Sequence, residues 1–205
     1  MFKEKLNAQL SYALEAKGIT EPTELQKRII PKIKSGASCI CIGPAGSGKS
    51  TSIVIGVIQR LTAALNDVPR AIIVVADKQQ ALDMKEQFNA LIRQSELRVH
   101  CAVDGEKFLD QKDKIYAGSD VVIGTARRFN ELYANNGLNL NALKMFVIDN
   151  SEVVIKNEVH SQIERLAGGV GKAQWLLFGD HITEKTEGFI SKFLPDNYEL
   201  IEIDE

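Results

Sequence analysis

Gly43-Pro44-Ala45-Gly46-Ser47-Gly48-Lys49-Ser50 fills every fixed position of a phosphate-binding loop, with the apolar run Cys39 to Ile42 before it and the helix-compatible run Thr51 to Leu65 after it. Each residue type has a physical task. Glycines let backbone N–H groups curl round an anion, Lys49 reaches the β- and γ-phosphates, and the Ser50 hydroxyl suits Mg²⁺. A merely structural turn would require neither the full pattern nor the strand and helix that flank it. The stretch therefore implies a nucleoside phosphate ligand, with Pro44, Ala45, Gly46, Ser47, Gly48, Lys49, Ser50 and Thr51 as candidate contacts.

Outward from the loop, helix-like and strand-like runs alternate. Leu6, Leu10 and Leu14 share one helix face up to Gly18, and a second helix runs from Pro22-Thr23 to Ser35-Gly36. Strands are expected at Ser38–Ile42, Ala71–Ala76, Arg98–Val103, Asp120–Ile123, Met145–Asp149, Gln174–Phe178 and Glu199–Ile203. Ile72-Ile73-Val74-Val75 and Met145-Phe146-Val147-Ile148 are apolar without alternation, which fits strands covered on both faces. The expected fold is α/β, a doubly wound, mostly parallel sheet of about seven strands. No repeat, linker or composition shift divides residues 1–205, so one domain is expected.

Composition sets limits on function. With 25 basic and 27 acidic residues the net charge is −2, so any nucleic-acid contact must come from local placement. Cys39 and Cys41 lie two apart on a strand and read as reduced core residues facing one side, since no His or further Cys completes a ligand set. No apolar run reaches membrane length and Met1-Phe2-Lys3-Glu4-Lys5 does not begin a signal peptide, which implies a cytoplasmic location.

In such a sheet, ligands sit beyond the carboxyl ends of the strands. The strand ending at Asp149 delivers a carboxylate there, the usual second anchor for Mg²⁺ beside a phosphate loop. Capping of the following helix is the structural alternative for Asp149.

The order of motifs resembles the first RecA-like domain of the DEAD-box RNA helicases, over nearly the whole chain. Pro22-Thr23-Glu24-Leu25-Gln26, with Gly18 and Phe2 upstream, looks like the family's Q motif. By that resemblance Thr23 and Gln26 belong to the nucleotide site, and Gln26 reads the adenine edge, making ATP with Mg²⁺ the ligand. A Gln amide offers the donor and acceptor that adenine requires. Taken alone, Gln26 would be an exposed helix residue. Gly124-Thr125-Ala126-Arg127-Arg128 looks like the TPGR segment, so Thr125, Arg127 and Arg128 become candidate RNA contacts at a helix start. The segment resembling PTREL, Ala76-Asp77-Lys78-Gln79-Gln80-Ala81, keeps neither the Pro nor the Arg.

Departures fall on the catalytic motifs. Asp-Glu-Ala-Asp becomes Asp149-Asn150-Ser151-Glu152: the metal-side Asp remains, whereas the Glu that positions the attacking water is replaced by an amide. Loss of a general base removes about 10²–10⁴-fold of rate. Glu152 keeps the last carboxylate on a longer arm, and Lys49, Asp149, Asn150 and Glu152 are thus the candidate catalytic positions, Asn150 a degenerate one. Where Ser-Ala-Thr is expected, Gly179-Asp180-His181 stands. Asp180 and His181 read as an exposed loop pair, with a link to Ser151 or Glu152 as the alternative. The sequence ends at Glu205, where one RecA-like domain would finish, so the arginine finger and half the RNA clamp are expected from a partner. The implied function is an ATP-binding domain, possible RNA binding included, with weak ATPase or helicase activity alone. An ATPase completed by a second chain is the alternative. A small-molecule P-loop kinase fits less well, because no arginine-bearing lid follows Asp149 or Phe178.

Overall fold

A computed structural model describes residues 6–65, 67–92, 96–156 and 159–204. Phe2, placed upstream of the Q-motif-like segment, lies outside them. In chain order the elements are α1 (Ala8–Ala16), α2 (Glu24–Ser35), β1 (Cys39–Ile42), α3 (Lys49–Leu61), β2 (Ala71–Val75), α4 (Lys78–Leu91), β3 (Val99–Ala102), α5 (Phe108–Tyr116), β4 (Val121–Thr125), α6 (Ala126–Ala134), β5 (Met145–Ile148), α7 (Ser151–Val154), α8 (His160–Gly168), β6 (Gln174–Gly179), α9 (Glu184–Phe193) and β7 (Glu199–Glu202).

The seven strands form one sheet in the order β3-β4-β2-β5-β6-β1-β7. All six strand pairs are parallel, so the sheet is parallel throughout rather than mostly so. The strand boundaries differ from the expected ones by one or two residues. The largest change is at β4, which continues through Gly124 to Thr125 instead of stopping at Ile123. Gly124 permits this. A Cβ there would sit 2.1 Å from the Ala102 carbonyl oxygen of the neighbouring strand.

Strand residues divide alternately between two cores, as a period of two requires. Cys39, Cys41, Ile73, Val147 and Phe178 pack with α1 to α4, through side chains such as Leu10, Ile29, Ile53 and Phe88. Ile40, Ile72, Phe146, Ile148 and Leu177 pack on the other face with Phe129, Leu166 and Phe189. Both faces being covered explains the uninterrupted apolar strands. Burial pushes the Cys39 and Cys41 thiols up to about 12, so both are protonated at neutral pH. No helix among the described residues is long and apolar enough to cross a membrane.

Local chemistry sets the helix ends. Thr23 and Gln26 form a reciprocal capping box on α2, which ends at Gly36 with φ +88°. Asn7 caps α1, accepting from Leu10 N at 2.7 Å, while its own N–H donates to Gln59 Oε1 of α3 at 2.9 Å.

At the amino end of the sheet a buried ion cluster ties the entries of three strands. Asp120, before β4, accepts from Arg70 Nη2 at 2.7 Å and from Leu65 N at 3.1 Å. Its other oxygen accepts from Arg98 Nε at 3.0 Å and Arg98 N at 3.1 Å. Burial by itself raises the Asp120 carboxyl, but these hydrogen bonds outweigh it and hold the group below its ordinary value. A carboxyl depressed in the folded state adds stability above its unfolded pKa of about 3.9 and loses it as pH falls through the folded value. Asp120→Asn is expected to cost about 3–5 kcal/mol in denaturant unfolding at pH 7. The same variant should show a flatter acid limb of Tm against pH below about pH 4. A wild-type-like midpoint would mean that the cluster contributes little.

Candidate functional site

The carboxyl ends of β1, β6 and β5 lie side by side, and each is followed by a residue that carries chemistry. After β1 the chain turns through Gly43–Gly48 into α3, whose first residue is Lys49. Gly46 (φ +83°) and Gly48 (φ +93°) occupy the left-handed region that favours glycine. Gly48 has a steric reason as well: a Cβ would stand 2.8 Å from Gln26 Nε2 and 3.1 Å from Thr23 Oγ1. Pro44 is half-buried and Ala45 exposed in this turn. Ser47 Oγ is buried without a hydrogen-bond partner.

Lys49 is 8% exposed despite its charge. Its ammonium donates to Gly43 O at 2.5 Å, to Pro44 O at 3.0 Å and to Asp180 Oδ1 at 2.5 Å. These three acceptors match its three N–H donors. One residue along, Ser50 Oγ donates to Asp149 Oδ2 at 2.9 Å, which brings the two candidate metal-binding oxygens together from β1 and β5. Burial raises the Asp149 carboxyl, opposed by the hydrogen bonds from Ser50 and Asn150 N and by the charge of Lys49. Asp149 does not cap α7; Asn150 occupies the cap position, with no side-chain cap bond. Thr51, in the first turn of α3, lines a cavity with Ile19, Asp83 and Glu86.

Asn150 adopts φ +54°, ψ +57°, a conformation Asn tolerates better than most residues. Its Nδ2 lies 3.4 Å from Gln80 Oε1 on α4. Glu152 turns towards β6, where its Oε2 accepts from Asp180 N at 3.3 Å. The long side chain fits because residue 179 has none: a Cβ on Gly179 would lie 2.5 Å from Glu152 Oε2 and 2.7 Å from Ser151 Oγ. Asp180 and His181 are both exposed in the loop after β6, as expected, but Asp180 also has partners that the loop reading did not assign. The Asp180 side chain, half-exposed, is directed to Lys49 and its backbone to Glu152, because β6 lies between β1 and β5.

Gln26, 3% exposed, is not an open helix-surface residue. Its Oε1 accepts from Thr23 N at 3.1 Å and its Nε2 faces Gly48. Thr23 Oγ1 in turn donates to Ser47 O at 2.8 Å, so the start of α2 is fastened to the phosphate loop.

The segment after β4 lies further along the same edge. Thr125 caps α6, accepting from Arg128 N at 3.4 Å and donating to Asp104 Oδ2 at 2.9 Å. Arg127 is exposed and its Nε lies 3.1 Å from Asp104 Oδ1. Arg128 is buried: it pairs with Glu131 at 3.1 Å, donates to Glu106 O at 3.1 Å and lies over the Phe108 ring. Thr125 and Arg127 thus meet one carboxylate, and Arg128 braces the loop that carries it. Asp104 and Glu106 have no part in the motif reading, and Gln80 enters it only as a member of the PTREL-like segment, with no contact assigned. The strand-end rule applied to β3 would have pointed to Asp104, two residues past Ala102.

The DEAD/DEAH box helicase family model matches residues 23–179, well over half of the chain. A DEAD-box ATP-dependent RNA helicase, CshB, of Listeria monocytogenes is 25% identical over 197 residues, covering 94% of this chain and 45% of that protein. The ATP-dependent RNA helicase DBP10 of Chaetomium globosum is 29% identical over 175 residues, covering 84% and 23%. The chain therefore spans less than half the length of these relatives. Among solved structures, a DEAD box protein from the hyperthermophile Methanococcus jannaschii superposes with a TM-score of 0.91 at 22% identity, over 97% of this chain and 54% of that one. That likeness is to the fold, while the match from the Q-motif-like Thr23 through the strand end at Gly179 establishes that the chain belongs to the DEAD/DEAH box helicase family.

Proposed function

We propose that this chain is an ATP·Mg²⁺-holding RecA-like domain whose hydrolysis and RNA binding are weak without groups supplied from outside these residues. The observation that carries this reading is the meeting of Ser50 Oγ and Asp149 Oδ2 at 2.9 Å beside Lys49, while the neighbouring position presents the amide of Asn150. The residues suit the ligand. Gly46 and Gly48 hold the loop in the conformation that turns N–H groups towards an anion, and the unpartnered Ser47 Oγ is a further polar atom in the cradle. Ser50 and Asp149 are the oxygen donors that would hold Mg²⁺, which when bound neutralises charge on the β- and γ-phosphates. Gln26 retains a second lone pair on Oε1 and its amide hydrogens for an adenine edge. Asn150 can orient a water but cannot accept its proton as a carboxylate does.

RNA is the second ligand class, in keeping with the named activity of the relatives. Its contact through Thr125 and Arg127 competes with Asp104, which already holds both groups. A second RecA-like domain, in this polypeptide or in another, would provide the arginine finger, a contribution of about 10³–10⁵ in rate. An intact metal-side carboxylate at Asp149 favours a second reading, an ATPase completed in this way.

Calorimetry is expected to show ATP binding tighter than GTP, with Lys49→Ala weakening ATP by about 10–100-fold through loss of charge-assisted bonds. Equal affinity for ATP and GTP, or an unchanged Lys49→Ala variant, would remove the assignment. With a second RecA-like domain supplied in trans, Asn150→Glu should raise ATP turnover at least about tenfold. Rapid turnover by the unmodified chain alone would contradict the weak-site reading. Asp104→Asn should tighten binding of a single-stranded RNA by several-fold and steepen its salt dependence; no change would exclude the Thr125 and Arg127 surface as the RNA contact.

A further inference from the structure

We propose that Asp180 is an internal stand-in for phosphate, a carboxylate that occupies the nucleotide-facing donor of Lys49 and must leave before the β- and γ-phosphates can bind. The proposal rests on the ATP·Mg²⁺ reading above and adds to it a residue that sets affinity. An ammonium has three N–H groups. Two of them bond the loop's own carbonyls, Gly43 O at 2.5 Å and Pro44 O at 3.0 Å, and the third bonds Asp180 Oδ1 at 2.5 Å. The carbonyls belong to the backbone that shapes the loop. Asp180 is the anion among the three partners, and so the one that an incoming phosphate oxygen replaces.

The surroundings favour such an exchange. Lys49 is 8% exposed at the start of α3, whereas the Asp180 side chain is 50% exposed and borders water. Its backbone is held in place: Gly179 O accepts from Gly43 N at 3.1 Å, and Asp180 N donates to Glu152 Oε2 at 3.3 Å. The carboxylate is therefore tethered next to the loop and acts at high effective concentration. A tethered competitor lowers apparent affinity by the fraction of molecules in which Lys49 is paired with it. The effect is confined to ligands that reach Lys49. AMP, which lacks the β- and γ-phosphates, should not sense it.

The test is calorimetric titration of the full chain and of Asp180→Asn and Asp180→Ala with ATP, ADP and AMP in the presence of Mg²⁺, after thermal unfolding confirms that the variants fold. Both variants are expected to bind ATP about 5–10-fold more tightly than the unmodified chain, with AMP unchanged. Inorganic tripolyphosphate should follow ATP, since the exchange involves phosphate and not the base. Unchanged ATP affinity in variants that fold would overturn the proposal while leaving the nucleotide site in place. Weaker ATP binding would also overturn it, by placing Asp180 among the groups that support the metal or its waters. Failure of every protein to bind ATP would instead remove the underlying ATP·Mg²⁺ reading, and this proposal with it.

Discussion

Parallel pairing of every strand is the constraint on which the remaining structure depends. Both faces of the sheet are covered by helices, and each crossover returns the chain to the same starting edge. All carboxyl ends consequently open on one side. The phosphate loop after β1, Asp149 after β5, Asp180 after β6 and Thr125 at the end of β4 meet there although they are scattered over more than half of the sequence. The opposite edge has a different task. Arg70, Arg98 and Asp120 join the entries of β2, β3 and β4 in a buried ion cluster, far from the ligand-facing side.

Crowding of carboxylates around few cations governs the chemistry of that edge. Asp149, Glu152 and Asp180 gather near Lys49, and burial raises the Asp149 carboxyl in spite of the lysine. A divalent cation between Ser50 and Asp149 would relieve the excess negative charge. Further along the edge, Asp104 serves Thr125 and Arg127 together. The protein's own carboxylates thus occupy Lys49, Thr125 and Arg127, the groups proposed above to meet phosphates. Gly179 and Glu152 form a matched exchange of size, in which the longer acid occupies space that the glycine leaves and accepts from Asp180 N.

The resemblance to DEAD-box proteins singles out segments of the chain without describing their contacts. Gln26 illustrates the difference. Its place four residues into an amphipathic stretch suggests an exposed residue, yet the packing of α2 against the phosphate loop buries it and joins it to Thr23. Arg128, a candidate RNA contact by the same resemblance, is buried between Glu131, the Glu106 carbonyl and the Phe108 ring. Its neighbour Arg127 remains exposed, since successive helix residues point about 100° apart.

By itself the sequence determined what depends on near neighbours along the chain. The Gly43–Ser50 loop, the continuous apolar strands and the helix start at Pro22-Thr23 all follow from residues a few positions apart. Tertiary structure decided which charges meet. Lys49 and Asp180 are 131 residues apart, and their contact exists because β6 inserts between β5 and β1. Thr125 and Asp104 meet because β3 and β4 pair in a register that aligns Ala102 with Gly124. Strand order and register arise from how the crossovers cover the two faces, a property of the whole packed sheet that no local spacing encodes.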